Sequence, residues 1–328
     1  MSQKVAAVFS GGGAKIGFHN GAKDYLTQKM GYRFDVVAGV SAGALVAVMV
    51  AQGKGELLTE ICAGLSNEDV YTGSWSFLTA LRIALGKDSI YGNGPIRRLI
   101  EENVAPAAFK IPCLVGAVDL ISGEYATFSA SQGTRLGSHG LAFSHSIIAR
   151  QSPRLLGSAF EQGIPDDMFL RALLASTAIP VVWAPVRFLA GRWVDGGVRN
   201  ISPIADVLAY EPDEIVIVNC SSREPMPAAG PLTNAVQIGM RALGIACDEI
   251  FRNDVERFTV LNRLAQQAEA QGAVLRHEDG RPYRSVPYLL IEPQIDLGPT
   301  LEFSPKWNRK RYEHGWRRAE EVCADAVQ

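Results

Sequence analysis

The sequence predicts a three-layer α/β/α fold with a central, mainly parallel β-sheet, and two observations lead to this prediction. Residues 5–51 follow the order strand, glycine-rich loop, helix, strand, tight turn, helix, which is typical of α/β folds. The 328 residues are 47% hydrophobic and 20% charged, so the chain can bury a sizeable core and is not globally disordered.

Four segments near the start of the chain carry this alternation. Val5–Phe9 is an apolar run that stops at a serine and three glycines, which predicts a buried strand. Lys15–Met30 has apolar residues at helical spacing, and Phe34–Ala38 is a second short apolar run that ends at Gly39. Ala42–Ala51 is almost wholly apolar and has no helix breaker, so we predict a buried helix.

Turn signals and apolar spacing predict the remaining elements. Ser122-Gly123 and Ala190-Gly191 each separate two strand-like runs, which predicts two hairpins. The predicted strands are Cys113–Val118, Tyr125–Phe128, Val181–Leu189, Trp193-Val194, Ile215–Asn219 and Tyr288–Ile291. The predicted helices are Pro95–Asn103, Met168–Ser176, Leu232–Gln271 (broken near Gly244) and Pro305–Val327. Val70–Tyr91 and Gly133–Asp167 are interpreted as insertions over the core.

The composition does not change sharply along the chain, and we therefore expect a single domain over residues 1–328. Its motifs fall in residues 4–202, and residues 203–328 are expected to complete the strands and helices. The net charge of −2 gives no overall attraction to nucleic acid, so no nucleic-acid partner is expected.

The cysteines and the apolar runs indicate in which cellular compartment the protein is expected. Five scattered cysteines, none in a Cys-x-x-Cys pair, argue against a disulfide framework and a structural zinc site. The apolar runs are shorter than the roughly 18 residues that a membrane-spanning helix needs. The N-terminal segment has too few apolar residues for a signal peptide. We expect a cytoplasmic protein without a metal, which could still contact a membrane surface.

The first motif is Gly39-Val40-Ser41-Ala42-Gly43, a Gly-x-Ser-x-Gly pattern between a predicted strand and a predicted helix. A nucleophile on such a turn has close neighbours on both sides, and Gly39 and Gly43 lack the Cβ atoms that would clash. The N-terminus of the following helix favours negative charge. The same pattern also fits a glycine-rich turn in which Ser41 caps the helix.

The second motif is Ser10-Gly11-Gly12-Gly13-Ala14-Lys15, after the first strand and before the first helix. Consecutive glycines allow the N–H groups of Gly11, Gly12 and Gly13 to face an anion without side chains in the way. This predicts an oxyanion hole or, alternatively, the phosphate loop of a nucleotide-binding module. The dinucleotide-binding pattern needs a glycine where Ile16 stands, and the P-loop pattern is absent.

The third motif is Asp195-Gly196-Gly197, which follows the strand-like Trp193-Val194. A carboxylate at a strand end, followed by two flexible residues, can reach a serine hydroxyl and act as a general base. Asp-Gly is also a common turn dipeptide, so an ordinary turn is the alternative.

Together, the three motifs resemble those of bacterial patatin-like phospholipases. SGGGAK resembles the oxyanion loop of that family, GVSAG its nucleophile elbow and DGG its catalytic-aspartate motif, in the same chain order. Ala175–Val186 is similar to the alanine-rich, Ile-Pro-containing stretch that precedes the aspartate. One position departs from the family: glycine usually follows the basic residue of the loop directly, whereas this chain has Ile16 and then Gly17.

The resemblance implies a patatin-like fold and hydrolysis of acyl esters by a Ser–Asp dyad, with Ser41 as nucleophile and Asp195 as base. It implies a phospholipid or lysophospholipid substrate, no cofactor and no metal, and oxyanion donors at Gly11, Gly12 and Gly13. The alternatives are a soluble-ester hydrolase, a thioesterase, an acyltransferase with the same elbow, and an inactive binding scaffold.

Other residues could contribute to the site. Lys15 could position the loop or favour an anionic head group, or be a solvated or salt-bridged helix residue. A Ser–His–acid triad would need a histidine after the acid, which leaves His277 and His314, whereas His19 is expected to be structural.

Two segments could contact a membrane. Val70–Tyr91 could face the core, or form an acyl-chain pocket or an interfacial lid. The last helix carries a basic cluster interleaved with aromatic residues, which could rest on an anionic membrane or form a solvated face. The cluster comprises Arg309, Lys310, Arg311, Arg317 and Arg318.

Overall fold

The computed structural model confirms the predicted α/β architecture. It describes residues 3–73, 76, 79, 82–83, 85–105, 108–131, 167–222, 227, 231–233, 235–277 and 280–327. The strands are β1 (Val5–Phe9), β2 (Val36–Val40), β3 (Cys113–Asp119), β4 (Tyr125–Ala130), β5 (Val186–Phe188), β6 (Gly191–Asp195), β7 (Glu214–Val218) and β8 (Tyr288–Ile291). The helices are α1 (Ile16–Asp24), α2 (Ala42–Ala51), α3 (Gly55–Gly64), α4 (Asn67–Val70), α5 (Gly94–Asn103), α6 (Met168–Ser176), α7 (Ile204–Leu208), α8 (Ala235–Ala270) and α9 (Pro305–Val327).

The eight described strands form one mainly parallel sheet, in which seven are hydrogen-bonded in the order β5-β6-β3-β2-β1-β7-β8. The strands β2 and β6 share one edge of β3, and β4 pairs with the opposite edge. The contacts of β1 with β2 and β7, of β2 with β3, and of β7 with β8 are parallel. The contacts of β3 with β4 and β6, and of β5 with β6, are antiparallel. The two predicted hairpins are therefore present, as β3–β4 and β5–β6.

Helices cover both faces of the sheet, which produces three layers. On β1, Ala7 and Phe9 point to the face that α1, α2, α3, α6 and α9 cover. Ala6 and Val8 point to the opposite face, where α7 and α8 pack. Because both faces are buried, the central strands are continuous apolar runs.

The strand β2 differs from its predicted bounds by two residues. It was expected at Phe34–Ala38, but the pairing continues through Gly39, which lies opposite both Phe9 of β1 and Val115 of β3. The strand therefore runs directly up to Ser41. The predicted strand Val181–Leu189 is reduced to β5, and its expected first residue, Val181, has φ +71°, outside the range of a regular strand.

Two helices also differ from prediction. The helix expected over Lys15–Met30 consists of a 3₁₀ turn at Gly13–Lys15, then α1, then a π-helical turn at Tyr25–Lys29. The break expected near Gly244 is absent, and α8 runs through this position without interruption. The helices α3, α4 and α7 were not predicted. Most of the insertion Gly133–Asp167, and many residues of Val70–Tyr91, lie outside the described residues.

Candidate active site

Ser41 lies in the sharp turn between β2 and α2. Its backbone has φ 57° and ψ −127°, a conformation that residues with a Cβ rarely adopt. The residue is buried, and its backbone N–H donates a hydrogen bond of 3.0 Å to the Oγ of Ser176. The turn therefore holds the Ser41 hydroxyl at a fixed position above the end of β2.

The two glycines of the turn are required by close backbone approaches. A Cβ at Gly39 would lie 2.2 Å from the carbonyl oxygen of Gly43. A Cβ at Gly43 would lie 2.1 Å from the carbonyl oxygen of Phe9 and 2.4 Å from that of Ser10. These are backbone atoms that cannot move aside, so the start of α2 can approach β1 only with glycine at both positions.

Asp195 meets Ser41 because β2 and β6 run towards each other along one edge of β3. Val40, the last residue of β2, lies opposite Gly116, and Asp195, the last residue of β6, lies opposite Ala117. Since β4 occupies the other edge of β3, the carboxyl ends of β2 and β6 must meet end to end. The antiparallel strand β6 thus brings the Asp195 carboxylate to the hydroxyl of Ser41, which directly follows the parallel strand β2.

The carboxyl group of Asp195 is buried next to the Ser41 hydroxyl. Burial raises its pKa to about 7, although hydrogen bonds from the Ser41 side chain and from the Gly197 N–H, at 2.8 Å to Oδ1, oppose this shift. A carboxyl with this pKa is partly ionised at neutral pH and can accept a proton there.

The glycine loop passes beside Ser41. A Cβ at Gly11 would lie 3.4 Å from the Cβ of Ser41. The Gly11 N–H donates to the carbonyl of Ile201 at 3.0 Å, so this donor is already used. Among the described residues, nothing accepts a hydrogen bond from the N–H groups of Gly12 and Gly13. The N–H groups of Gly12 and Gly13 are therefore available as hydrogen-bond donors.

A cavity of about 600 Å³ brings the three motifs together. Its wall includes Gly11, Gly12, Gly13, Lys15, Ser41, Asp195 and Gly197. The thiols of Cys220 and Cys247 also line it, but burial raises the pKa of each to about 12, so both are protonated at neutral pH. Further apolar lining comes from Ile179, Val198, Ile201, Leu243, Leu297 and Leu301.

A known protein family matches more than half of this chain. The family described as "Patatin-like phospholipase" matches residues 7–208, which is more than half of the sequence. The chain belongs to the patatin-like phospholipase family. This confirms the resemblance stated above, and members of this family are lipid acyl hydrolases.

The patatin-like chain was also compared with solved structures and with curated proteins. It is similar to the crystal structure of VipD from Legionella pneumophila at 12% sequence identity and a TM-score of 0.43. That alignment covers 99% of this chain and 67% of the VipD chain. A comparison with curated proteins gave no significant match.

The position at which this patatin-like sequence departs from its family has a structural explanation. Gly17 faces α9, where an added Cβ would lie 2.8 Å from the carbonyl oxygen of Asn308 and 3.1 Å from the Cβ of Arg311. Ile16 is buried in the main core. The glycine therefore stands at the position that α9 approaches.

The described histidines do not line the cavity. His19 is buried between Phe9 and Cys220, and burial lowers its pKa to about 3, so its imidazole is neutral. His277 stacks on Tyr283, and the Nε2 of His314 accepts the N–H of Gln294 at 3.2 Å. The positions 139 and 145 lie outside the described residues.

Lys15 lies on the cavity wall, and its ammonium forms no ion pair with any described residue. Its carbonyl oxygen accepts the Cys220 thiol at 3.5 Å. Within the described part of the chain, no cluster of three or more His, Cys, Asp or Glu side chains could hold a metal ion. The helices described there are also too short or too polar to cross a bilayer.

The expectation that the basic cluster of the last helix is uniformly solvated or membrane-facing is wrong for Arg311. This side chain is fully buried, and its guanidinium donates to main-chain carbonyls. Arg318 also turns inward, where its Nε donates to the carbonyl of Glu292 at 3.0 Å. The basic residues of α9 suggested an exposed face, but α9 packs on both α1 and β8 and therefore buries part of its polar face.

Two residues that support the site were not predicted from the sequence. Ser176, the last residue of α6, accepts the Ser41 N–H, and its position inside the predicted Ala175–Val186 stretch was the available signal. Ile201 accepts the Gly11 N–H, and its side chain lies within 2.9 Å of where a Cβ of Gly11 would be. No pattern in the sequence marks this residue.

Proposed function

We propose that this protein hydrolyses acyl esters of membrane lipids, as a phospholipase A or lysophospholipase, with Ser41 as nucleophile and Asp195 as general base. One observation carries the proposal: a buried carboxyl with a pKa of about 7 accepts a hydrogen bond from the Ser41 side chain. An ordinary aspartate, with a pKa of about 4, is a weak base towards a hydroxyl at neutral pH. Burial makes Asp195 a stronger one.

The first half of the reaction forms an acyl-enzyme. The Ser41 Oγ attacks the ester carbonyl carbon while its proton moves to Asp195, and the carbonyl oxygen becomes an oxyanion that accepts from Gly12 and Gly13. Collapse of this intermediate breaks the ester C–O bond. The departing alcohol, a lysolipid or glycerol derivative, takes the proton from Asp195.

The second half releases the fatty acid. A water molecule gives its proton to Asp195 and attacks the acyl carbonyl, which again places negative charge opposite Gly12 and Gly13. Collapse breaks the bond to Ser41, and the serine oxygen regains the proton from Asp195. The enzyme returns to its starting state with the fatty acid released.

The wall of the cavity supports a lipid rather than a small polar ester. Ile179, Leu243, Leu297 and Leu301 offer apolar surface next to Ser41, which suits an acyl chain. Several exposed apolar side chains belong to this wall or lie close to its residues in the sequence. We name Val181, Leu232, Ile238, Ile245 and Ile295 the apolar rim.

The apolar rim supports contact with a lipid surface. Leu232 and Ile295 belong to the cavity wall itself, and Val181 follows the lining residue Pro180. Ile238 and Ile245 lie seven residues apart on α8, and therefore on one helix face, beside lining residues such as Gly244. Exposed apolar side chains beside a substrate cavity are typical of an interaction site.

Fluorophosphonate labelling tests the assignment of Ser41 and Asp195. The wild type is expected to label covalently, Ser41→Ala not at all, and Asp195→Asn at a much lower rate. His277→Ala and His314→Ala are matched controls that should label like the wild type. Labelling that persists in Ser41→Ala overturns the nucleophile assignment, and loss of labelling in either histidine variant overturns the dyad.

A comparison of substrates distinguishes the proposed lipid hydrolysis from the thioesterase and soluble-ester hydrolase alternatives. Purified enzyme is given phosphatidylcholine vesicles, lysophosphatidylcholine, an acyl thioester and a short-chain nitrophenyl ester at matched acyl concentration. The proposal expects the highest kcat/KM for the two lipids. A preference for the thioester or the short-chain ester instead assigns a thioesterase or a soluble-ester hydrolase.

A further inference from the structure

Arg311 is a buried cation whose partners are all main-chain carbonyls. Its side chain lies on α9 and is 0% exposed, and no described carboxylate lies within ion-pair distance of it. Nε donates to the carbonyl of Leu297 at 2.8 Å, and Nη2 donates to that of Pro299 at 3.0 Å. Nη1 donates to Glu302 at 2.8 Å and to Ala14 at 2.6 Å.

These bonds connect the glycine loop to the segment that we name loop 297–302. The Ala14 carbonyl accepts from Arg311, and the Ala14 N–H donates to the carbonyl of Thr300 at 2.8 Å. The residue that follows Gly13 is therefore held on both its donor and its acceptor side. A Cβ at Gly13 would lie 2.6 Å from the same Thr300 oxygen, so loop 297–302 lies directly against the glycine.

The guanidinium is suited to this arrangement. Burial lowers its pKa to about 10, so it remains charged at neutral pH. Burying a cation without a carboxylate partner is unfavourable unless its N–H groups are satisfied, and the planar fork of arginine points its donors in several fixed directions. The ring of Trp307 also stacks over the guanidinium, at 5.3 Å from its centroid. A lysine could not reach all four carbonyls.

We propose that Arg311 is a positioning residue that holds the N–H groups of Gly12 and Gly13 in the orientation that binds the oxyanion. This inference rests on the proposed function of Ser41 and Asp195. Arg311 does not line the cavity, so it acts through Ala14 and loop 297–302 rather than by touching substrate. A site whose motifs all lie before residue 202 is thereby completed by α9, beyond the residues that match the family.

The effects of a substitution on kcat and on KM distinguish this positioning role from a merely structural one. For Arg311→Lys we expect the rate constant of phosphonylation by a fluorophosphonate, and kcat for the ester, to fall about 10-fold to 100-fold. KM should stay within about twofold, because the cavity wall is unchanged. Trp307→Leu removes the ring that packs over the Arg311 guanidinium and against Gly298 of loop 297–302. It is a milder variant, expected to loosen the same arrangement and to lower the same rate constant by a smaller factor.

Arg318→Lys is the matched control. Arg318 lies on the same helix and also donates to a main-chain carbonyl, that of Glu292, but its hydrogen bonds to the described residues do not involve the glycine loop. We expect its Tm to fall and its rate constants to stay near wild type. Each variant is assayed at the same interval below its own Tm, and Trp307→Leu serves if Arg311→Lys does not fold.

The outcomes are distinct. Wild type that labels at Ser41, with Arg311→Lys or its substitute Trp307→Leu slowed in kcat alone, supports the proposal. Wild-type labelling with an unchanged rate in that variant overturns the role of Arg311 and leaves the proposed function standing. A rise in KM with kcat unchanged also overturns it, because it indicates a reshaped cavity. Wild type that does not label at all overturns both.

Discussion

The backbone N–H of Ser41 donates to the hydroxyl oxygen of Ser176 at 3.0 Å, and both residues are buried. This bond joins the strained turn after β2 to the last residue of α6. A non-glycine residue at φ 57° carries about 1–3 kcal/mol of strain, which persists only where the surroundings hold it in place. Ser176 is one of the groups that hold the turn at Ser41.

Replacing Ser176 by alanine should therefore weaken both stability and catalysis. Loss of the acceptor leaves the buried Ser41 N–H without its partner, which should lower the free energy of unfolding by about 1–3 kcal/mol. Looser positioning of the hydroxyl should also lower kcat. Urea unfolding and ester kinetics measure the two effects.

Ser202→Ala provides the matched control for this prediction. Ser202 is equally buried, but its hydroxyl has no hydrogen-bond partner among the described residues. Its removal should change stability and kcat little. If both serine variants behave alike, the Ser41–Ser176 bond does not hold the turn.

Local patterns in the sequence were sufficient to predict the parts of the site that depend on neighbouring residues. The elbow at Gly39 and Gly43 was predictable because the glycines and Ser41 lie within five residues of one another, between an apolar strand and an apolar helix. The bounds of β1 and α2 agree with the predicted ones for the same reason. The end of β2 was misplaced because a glycine was interpreted as a strand terminator, whereas Gly39 pairs on both sides.

Contacts between distant segments were not predictable from patterns. That Asp195 reaches Ser41 depends on β6 running antiparallel into the end of β2 along β3, and no residue of β6 indicates its partner strand. The motif at Asp195 suggested only that its carboxylate could reach a serine hydroxyl, and the family resemblance identified that serine as Ser41. Likewise, the buried position of Arg311 follows from the packing of α9 on α1, while its sequence neighbours are charged and suggest a solvated face.

The pH dependence of activity should follow Asp195. As the proposed general base, its carboxylate must be ionised for activity, so kcat/KM should fall as the pH drops through its pKa of about 7. Below that point we expect kcat/KM to fall about tenfold per pH unit.

Asp206 provides a control for this prediction. It is a second buried carboxyl, with a pKa raised by burial to about 6, but it accepts hydrogen bonds from Tyr125 and Thr127 outside the cavity. Asp206→Asn should leave the midpoint unchanged, and a shifted midpoint in this variant would contradict the assignment.

The same buried carboxylate should destabilise the fold at alkaline pH. A group whose pKa is raised in the folded state binds protons more tightly there than in the unfolded chain, so stability falls as the pH rises from about 4 to about 7. Asp195→Asn removes this effect, and we expect it to raise the free energy of unfolding by a few kcal/mol at pH 8 and by less at pH 5. Denaturant unfolding at both pH values checks the sign. A larger gain at pH 5 than at pH 8 would show that Asp195 does not have a raised pKa.

The glycines of the chain should respond to alanine according to the space around them. Gly43→Ala would place a Cβ 2.1 Å from a carbonyl oxygen of β1, and we expect a loss of more than about 3 kcal/mol of stability or no folded protein. Gly239 lies in the interior of α8 with nothing within 4 Å of its added Cβ. Gly239→Ala should stabilise the protein by up to about 1 kcal/mol and leave kcat unchanged. Thermal unfolding and yield of soluble protein report both results, and a stable, active Gly43→Ala variant would contradict the geometry of the turn.

The apolar rim should matter for lipid in a bilayer and not for a dissolved ester. Ile238 and Ile245 are 53% and 51% exposed, and replacing both with glutamine removes apolar surface beside the cavity without touching Ser41 or Asp195. We expect hydrolysis of phosphatidylcholine vesicles, and sedimentation with them, to fall at least about fivefold, while hydrolysis of a short-chain nitrophenyl ester stays near wild type.

Val260 and Leu264 offer a matched control, since they are similarly exposed on the same helix but lie about 20 Å or more from Ile245 at 1.5 Å per residue. If the control pair lowers vesicle hydrolysis as much as the rim pair, the effect belongs to general surface apolarity and the rim has no special role. If neither pair changes it, the enzyme takes its substrate from solution.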